Sequence, residues 1–290
     1  MTLRLLAVHA HPDDESSKGA GTYASYRARG DQVTIVSCTG GERGSILNDS
    51  LADRAMAERD MAGLRHLEMA RAQAILGIDH RWLGFVDSGM NDDGSVPVNS
   101  FAAIPIEIAA EPLVRVIREL RPQVLITYDE NGGYPHPDHI RCHEVSMEAY
   151  RAAADPDRYP GTGEPWQISK VYYDRIFNLE RMEALYQELR VSDPESPRLE
   201  PLQASRDRLT GYPQLATTHV PVGDFLDTRD AALRAHESQV SPDSSFFFWP
   251  HDLVRRAWPY EDFQLVESKV DTQMPESDLF SGIDDDGFRA

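Results

Sequence analysis

Cysteine is almost missing from this chain: Cys38 and Cys142 are the only two among 290 residues. So few thiols exclude a disulfide framework, and neither sits at the spacing of a zinc ribbon or finger. Both read as reduced, interior side chains. Long apolar runs are missing as well. No stretch reaches the roughly 18 apolar residues that a membrane-crossing helix needs. The N-terminal apolar run at residues 3–8 meets His9 and His11 before any signal-peptide pattern develops. A cytoplasmic protein with no membrane partner is the expectation. Positive charge is in deficit, with 29 Lys and Arg against 48 Asp and Glu, a formal net charge of −19. Without clustered cations the chain lacks the electrostatic footprint of a nucleic-acid binder. No internal repeat occurs, and no Gly-x-Gly-x-x-Gly follows the first apolar run.

The composition that remains is ordinary for a globular protein, at 41% hydrophobic and 27% charged. A chain of this length buries about three quarters of its unfolded surface and needs no staple. Its first half alternates apolar runs with amphipathic segments, which predicts an α/β fold with a Rossmann-like, mostly parallel sheet flanked by helices. Strands are expected at residues 3–8, 32–38, 81–83 and 123–128. Helices are expected at 17–29, closed by Gly30, at 54–76, closed by Gly77, and at 111–120. Residues 87–99 read as a loop rich in Asp, Asn, Gly and Pro. Beyond residue 155 the composition shifts: 155–165 and 192–201 read as loops, 169–173 as a strand, and 179–189 and 222–239 as helices. The aromatic run Phe246-Phe247-Phe248-Trp249 suits core packing or a pocket for a hydrophobic group. The acidic end, 276–290, is expected to finish in poorly ordered residues. We therefore expect one domain over 1–290, with a metal-site core at 1–155 and a C-terminal α/β extension at 156–290 that completes a substrate cleft. Oligomeric state is open at this level.

Two clusters carry chemistry. The first, Ala10-His11-Pro12-Asp13-Asp14-Glu15, falls where the first strand ends, and in open α/β sheets ligands bind just past the carboxyl ends of strands. An imidazole and a carboxylate suit Zn²⁺ or another borderline divalent ion. Neighbouring carboxylates in a turn point different ways, so one can bind metal while the other faces the space above it. The second cluster, Tyr128-Asp129-Glu130-Asn131-Gly132-Gly133-Tyr134-Pro135-His136-Pro137-Asp138-His139, follows another apolar strand and opens a helix. A single His or Asp in a loop is more often a solvated turn residue than a ligand. Two such clusters at two strand ends instead make a three-ligand site with an open position, the pattern of catalytic rather than structural zinc.

Together these clusters resemble the LmbE-like (PIG-L type) zinc deacetylase superfamily, whose members remove N-acyl groups from amino sugars. Residues 15–20, 39–44, 82–89, 233–236 and 275–280 further resemble its branch of mycothiol S-conjugate amidases. The resemblance implies one Zn²⁺ per chain, with Fe²⁺ sharing the same ligands, held by His11, Asp14 and His139. It implies Asp13 as general base, His136 as general acid, Tyr134 as oxyanion donor and Asp138 as the residue that orients His136. Lys18, Arg65 and Asp87 would contact the small-molecule substrate, a mycothiol S-conjugate. Two readings stand beside this one: an N-acetylglucosaminyl-inositol deacetylase, and a non-catalytic sugar-binding module. His236 and Gln239 are candidates to face the cleft. Ser45 departs from the acidic residue that relatives carry at its position, which bears on substrate contact there.

Overall fold

The computed structural model describes residues 2–244 and 246–283. Seven strands form one sheet among the described residues: β1 (Arg4–His9), β2 (Gln32–Thr39), β3 (Asp79–Phe85), β4 (Val124–Thr127), β5 (Lys170–Asp174), β6 (Thr218–Pro221) and β7 (Tyr260–Ser268). Their spatial order is β3-β2-β1-β4-β5-β7-β6. The first five pair in parallel, and β7 and β6 close the edge antiparallel. The chain winds outward from β1 to β3 on one side and then crosses to β4 and β5 on the other. A crevice therefore opens at the carboxyl ends of β1 and β4, where this doubly wound topology reverses.

Among the described residues ten α-helices surround the sheet: α1 (Asp14–Ser17), α2 (Ala20–Arg29), α3 (Arg54–Arg59), α4 (Met61–Leu76), α5 (Ile106–Leu120), α6 (Pro137–Ala153), α7 (Leu179–Ser192), α8 (Leu199–Leu209), α9 (Leu226–Ala235) and α10 (His251–Ala257). Strand alternation divides the core into two layers. Leu5 and Ala7 point into the layer that α2, α4 and α9 cover, while Leu6 and Val8 point into the layer beneath α5 and α6. On α5 the buried residues Ala109, Ala110, Leu113, Val114 and Ile117 recur at helical spacing, so one stripe faces the sheet.

The α/β class and the mostly parallel sheet follow the sequence pattern, while several boundaries differ. The helix expected at 17–29 is preceded by the separate turn α1 and starts at Ala20. The one expected at 54–76 breaks at Asp60, whose side chain accepts from Gly63 N at 2.8 Å and starts α4. The helix expected at 111–120 begins at Ile106 and carries Pro112 inside it. Residues 199–201 lie in α8 rather than in a loop, and the helix expected at 222–239 is confined to α9. The acidic end is not solvated throughout: Glu276 is buried, accepts from Tyr172 Oη at 2.7 Å and pairs with buried Lys170. The rest of that end, from 284, lies outside the described residues.

Arg118 is the strongest single tie outside the site. Buried on α5, it donates to the carbonyls of Ala152, Ala153, Asp155, Arg158 and Tyr159 and to Thr162 Oγ1, closing the end of α6 and the loop behind it. Arg118→Ala leaves several buried carbonyls without donors. It should lower unfolding free energy by roughly 3 kcal/mol, seen as a lower urea midpoint at unchanged slope; an unshifted midpoint would contradict this account.

Candidate functional site

The site sits where β1 and β4 end. After His9 the chain turns through Ala10-His11-Pro12 and enters α1, and its geometry is set by Asp14. This buried carboxylate accepts from His11 N at 3.0 Å and from Tyr128 Oη at 2.8 Å through Oδ2, and from Lys18 Nζ through Oδ1. The Tyr128 hydroxyl in turn accepts from Ala10 N at 2.9 Å, which ties the end of β4 to the end of β1. Burial alone would raise the Asp14 carboxyl, but Lys18, His139 and His11 hold it well below the usual carboxylate range.

His139 enters from the first turn of α6. Its Nδ1 donates to Gly132 O at 3.0 Å, its ring stacks on Tyr128 at 4.4 Å between centroids, and its Nε2 stands 3.4 Å from Asp14 Oδ2. His11 Nδ1 stands 3.6 Å from the same oxygen. Zinc–ligand bonds of about 2.0–2.1 Å in a tetrahedron separate neighbouring ligand atoms by about 3.3 Å. The donor set His11, Asp14 and His139 thus has the chemistry and spacing of a divalent-metal site, and its ligand atoms lie within 4.8 Å of one another. His11, Asp87 and His136 form a second group within the same limit.

Asp13 occupies a conformation that side chains rarely adopt, with φ at 110°. Two buried groups hold it there. Glu15 Oε2 accepts from Asp13 N at 2.9 Å, and its other oxygen lies 2.7 Å from His236 Nε2. Burial would raise Glu15, but His236 brings it down to about 2, and Glu15 in turn raises His236 against the effect of burial. Arg65 donates to Pro12 O, to Gly41 O at 3.1 Å and towards Asp13 Oδ2 at 3.4 Å. Burial raises the Asp13 carboxyl above its ordinary value, with Arg65 opposing that rise.

The remaining expected residues gather here in unequal ways. His136 is buried; its Nδ1 accepts from Asp138 N at 3.1 Å, which leaves the proton on Nε2, and burial with His11 and His139 nearby lowers it to about 4. The Asp138 carboxylate does not touch His136. It accepts from Ser88 N at 2.8 Å and from Ser88 Oγ and lies 3.3 Å from His11 Nε2, so any orientation of His136 passes through the backbone. Tyr134 is half-exposed with its hydroxyl 3.4 Å from His139 Nε2, and partial burial pushes that phenol up to about 12. Lys18 borders the cleft. Arg65 does not: at 3% exposure its two terminal nitrogens face the turn beneath the site, and its Nε has no partner among the described residues. Asp87, also buried, accepts from Arg43 N at 3.0 Å and Gly89 N at 2.7 Å and lies 3.5 Å from His11 Nε2. His236 is fully buried just past α9 and faces Glu15, whereas Gln239 borders the cleft and donates to Ser45 O at 3.0 Å. Tyr128, Glu15, Ser88 and Gly132 had no assigned role; for Tyr128 and Glu15 the signal was their presence in the motifs themselves.

A cleft of about 790 Å³ runs from Asp13, Asp14, Lys18 and Tyr134 across the end of β5 to apolar walls that include Phe177, Tyr212, Leu215, Phe246 and Phe247. The aromatic run is therefore split: Phe246 and Phe247 border the cleft and Phe248 is buried. Gly132 is a further constraint, because a Cβ there would meet His139 Cβ at 2.5 Å and its φ is +72°. Gly132→Ala should weaken Zn²⁺ affinity about 10- to 100-fold, measured by competition with a chromophoric chelator; unchanged affinity would detach His139 from metal binding.

Comparison with known proteins agrees with this architecture. The family described as PIG-L: GlcNAc-PI de-N-acetylase matches residues 6–150. A mycothiol S-conjugate amidase of Streptomyces coelicolor is 48% identical over 288 residues, 98% of each chain. A 1D-myo-inositol 2-acetamido-2-deoxy-alpha-D-glucopyranoside deacetylase of Streptomyces scabiei is 41% identical over 97% of this chain and 90% of its own. The solved N,N'-diacetylchitobiose deacetylase of Pyrococcus horikoshii shares the fold, with a TM-score of 0.60 and 18% identity over 91% of this chain and 83% of its own. A motif pair on adjoining strand ends, a matching family model and similarity along nearly the full length lead to one assignment: the chain belongs to the PIG-L, GlcNAc-PI de-N-acetylase, family.

Proposed function

We propose that this amide hydrolase cleaves mycothiol S-conjugates at the bond between the N-acetylcysteinyl group and glucosaminyl-inositol, releasing a mercapturic acid in a cytoplasmic detoxification step. The observation that carries the reading is the buried His11, Asp14 and His139 donor set beside Asp13, at the head of a cleft with apolar walls. A single divalent ion, Zn²⁺ or Fe²⁺, held by those three residues would polarise the amide carbonyl and acidify a water molecule.

The chain's own residues supply the proton transfers and the positioning. Asp13 faces the cleft and takes a proton from the attacking water; its raised basicity comes from burial, and Glu15, His236 and Arg65 keep its carboxylate aimed. His136, with its proton on Nε2, donates a hydrogen bond to the developing oxyanion, and the departing sugar amine receives the proton that Asp13 took from the water. The Tyr134 phenol remains protonated at neutral pH and supplies a second donor. Asp138 acts through its main-chain N–H on His136 and through its carboxylate on His11. Lys18 offers a cationic contact in the cleft. Arg65 and Asp87 act from behind, on Asp13 and His11. The apolar walls at Phe177, Tyr212, Leu215, Phe246 and Phe247 suit the thiol's organic substituent.

Similarity to the deacetylase of Streptomyces scabiei favours a second reading, removal of acetate from N-acetylglucosaminyl-inositol. The ratio of kcat/KM for the two substrates decides between them. We expect at least a tenfold preference for the S-conjugate, and the reverse preference would reject the first reading. Variants separate base from ligand: Asp13→Ala should keep stoichiometric metal and lose at least 10²-fold in kcat, whereas His139→Ala should lose the metal. Equal metal loss in both, read by elemental analysis, would mean the two roles have been exchanged.

A further inference from the structure

Asp174 ends β5 at the wall of the cleft, and no role has been assigned to it. It is 5% exposed, and among the described residues its side chain makes no hydrogen bond or ion pair, with Oδ2 fully enclosed and unpartnered. A buried carboxyl without partners is costly, so one that persists in a cleft marks a group satisfied by something else. The other buried carboxylates around the site are all engaged: Asp14 by Lys18 and Tyr128, Asp87 by two backbone donors, Asp138 by Ser88, Glu15 by His236. Burial pushes the Asp174 carboxyl up to about 7, with Lys18 the main influence opposing the rise. That ammonium is committed to Asp14 and Ser17 and forms no ion pair with Asp174.

Its position in the cleft narrows what could satisfy it. Asp174 lines the same cleft as Lys18, which is bonded to Asp14, and as Ile176, Phe177 and the apolar walls. Resting on the substrate reading above, the acyl half must run from the metal-ligand residues towards the apolar walls of this cleft, and its α-carbon is the part that carries both the amide to be cleaved and the arm towards those walls. In a thiol-derived amide that carbon bears an acylamino N–H and the CH₂–S arm; in a plain acetamide it is a methyl group with no polar atom. We infer that Asp174 accepts the acylamino N–H of an N-acylaminoacyl substrate, and so distinguishes thiol-derived amides from simple acetamides. A site built around a buried acceptor rejects ligands that leave it unpaired.

The test pairs a variant with an altered substrate. Two S-alkyl conjugates are compared, one with the natural acetamido group and one carrying hydrogen in its place, on wild-type protein and on Asp174→Leu and Asp174→Asn. Wild type should prefer the acetamido compound about 10- to 100-fold in kcat/KM. Asp174→Leu should bring that ratio close to one, and Asp174→Asn, whose amide oxygen can still accept, should retain part of it. Both variants should melt no lower than wild type, because each removes an unpartnered buried carboxyl. A wild type indifferent to the acetamido group, or Asp174→Leu with the wild-type ratio, overturns the assignment, as does a lowered melting temperature with the ratio intact. Failure of the substrate reading is seen separately, as a wild-type preference for N-acetylglucosaminyl-inositol over both conjugates.

Discussion

A carboxylate taken out of water must be met by donors on every side or it will neutralise itself. Asp14 is such a group, and the way its needs are met organises the molecule. One oxygen receives the main-chain N–H of His11 and the hydroxyl of Tyr128, and the other receives Lys18. Because Tyr128 stands at the end of β4 and also holds Ala10 N, satisfying Asp14 fixes the ends of the two central strands relative to each other. Tyr128 stacks on His139, so the same contact also sets the second imidazole.

The strained turn at Asp13 is the second constraint, and it reaches much further along the chain. A non-glycine residue at this φ costs on the order of 1–3 kcal/mol and persists only where its surroundings determine it. The supports are Arg65 on α4 and Glu15, the latter held by His236 just beyond α9. The residues after 155 therefore do more than extend the sheet. They bring a buried histidine under the turn, they supply Asp174 on β5, and they build the apolar walls. The cleft is consequently asymmetric, with its charged residues crowded at the head, where β1 and β4 end, and its aromatic side chains towards α8 and the segment before α10.

The architecture and the meeting of the two clusters were legible in the sequence because both rest on local patterns, whereas the choice of His11, Asp14 and His139 among their residues came from the family resemblance. Each depends on an apolar run followed at once by ligand-type residues, and a parallel sheet brings such strand ends together. Even so, α8 was hidden by flanking Pro, Ser and Asp, and the break at Asp60 by an otherwise continuous helical pattern. Strands β6 and β7 form an antiparallel edge whose partners lie far apart in the chain, and no short-range period announces such pairing.

What the residue order determined by itself was the chemistry on offer: two imidazole-and-carboxylate clusters, each at the end of a strand. Tertiary structure decided how those groups are used. It turned Arg65 from a substrate contact into a buried strut, because the Pro12 and Gly41 carbonyls close over its guanidinium. It gave the Asp138 carboxylate to Ser88 and His11 instead of His136. It also left Asp174 alone among the site's buried carboxylates without a donor. These outcomes rest on which hydrogen-bond partners arrive from 24 to 127 residues away. A carboxylate or guanidinium reads the same in a sequence whether it is satisfied or waiting for a ligand, and only the packed chain makes that distinction.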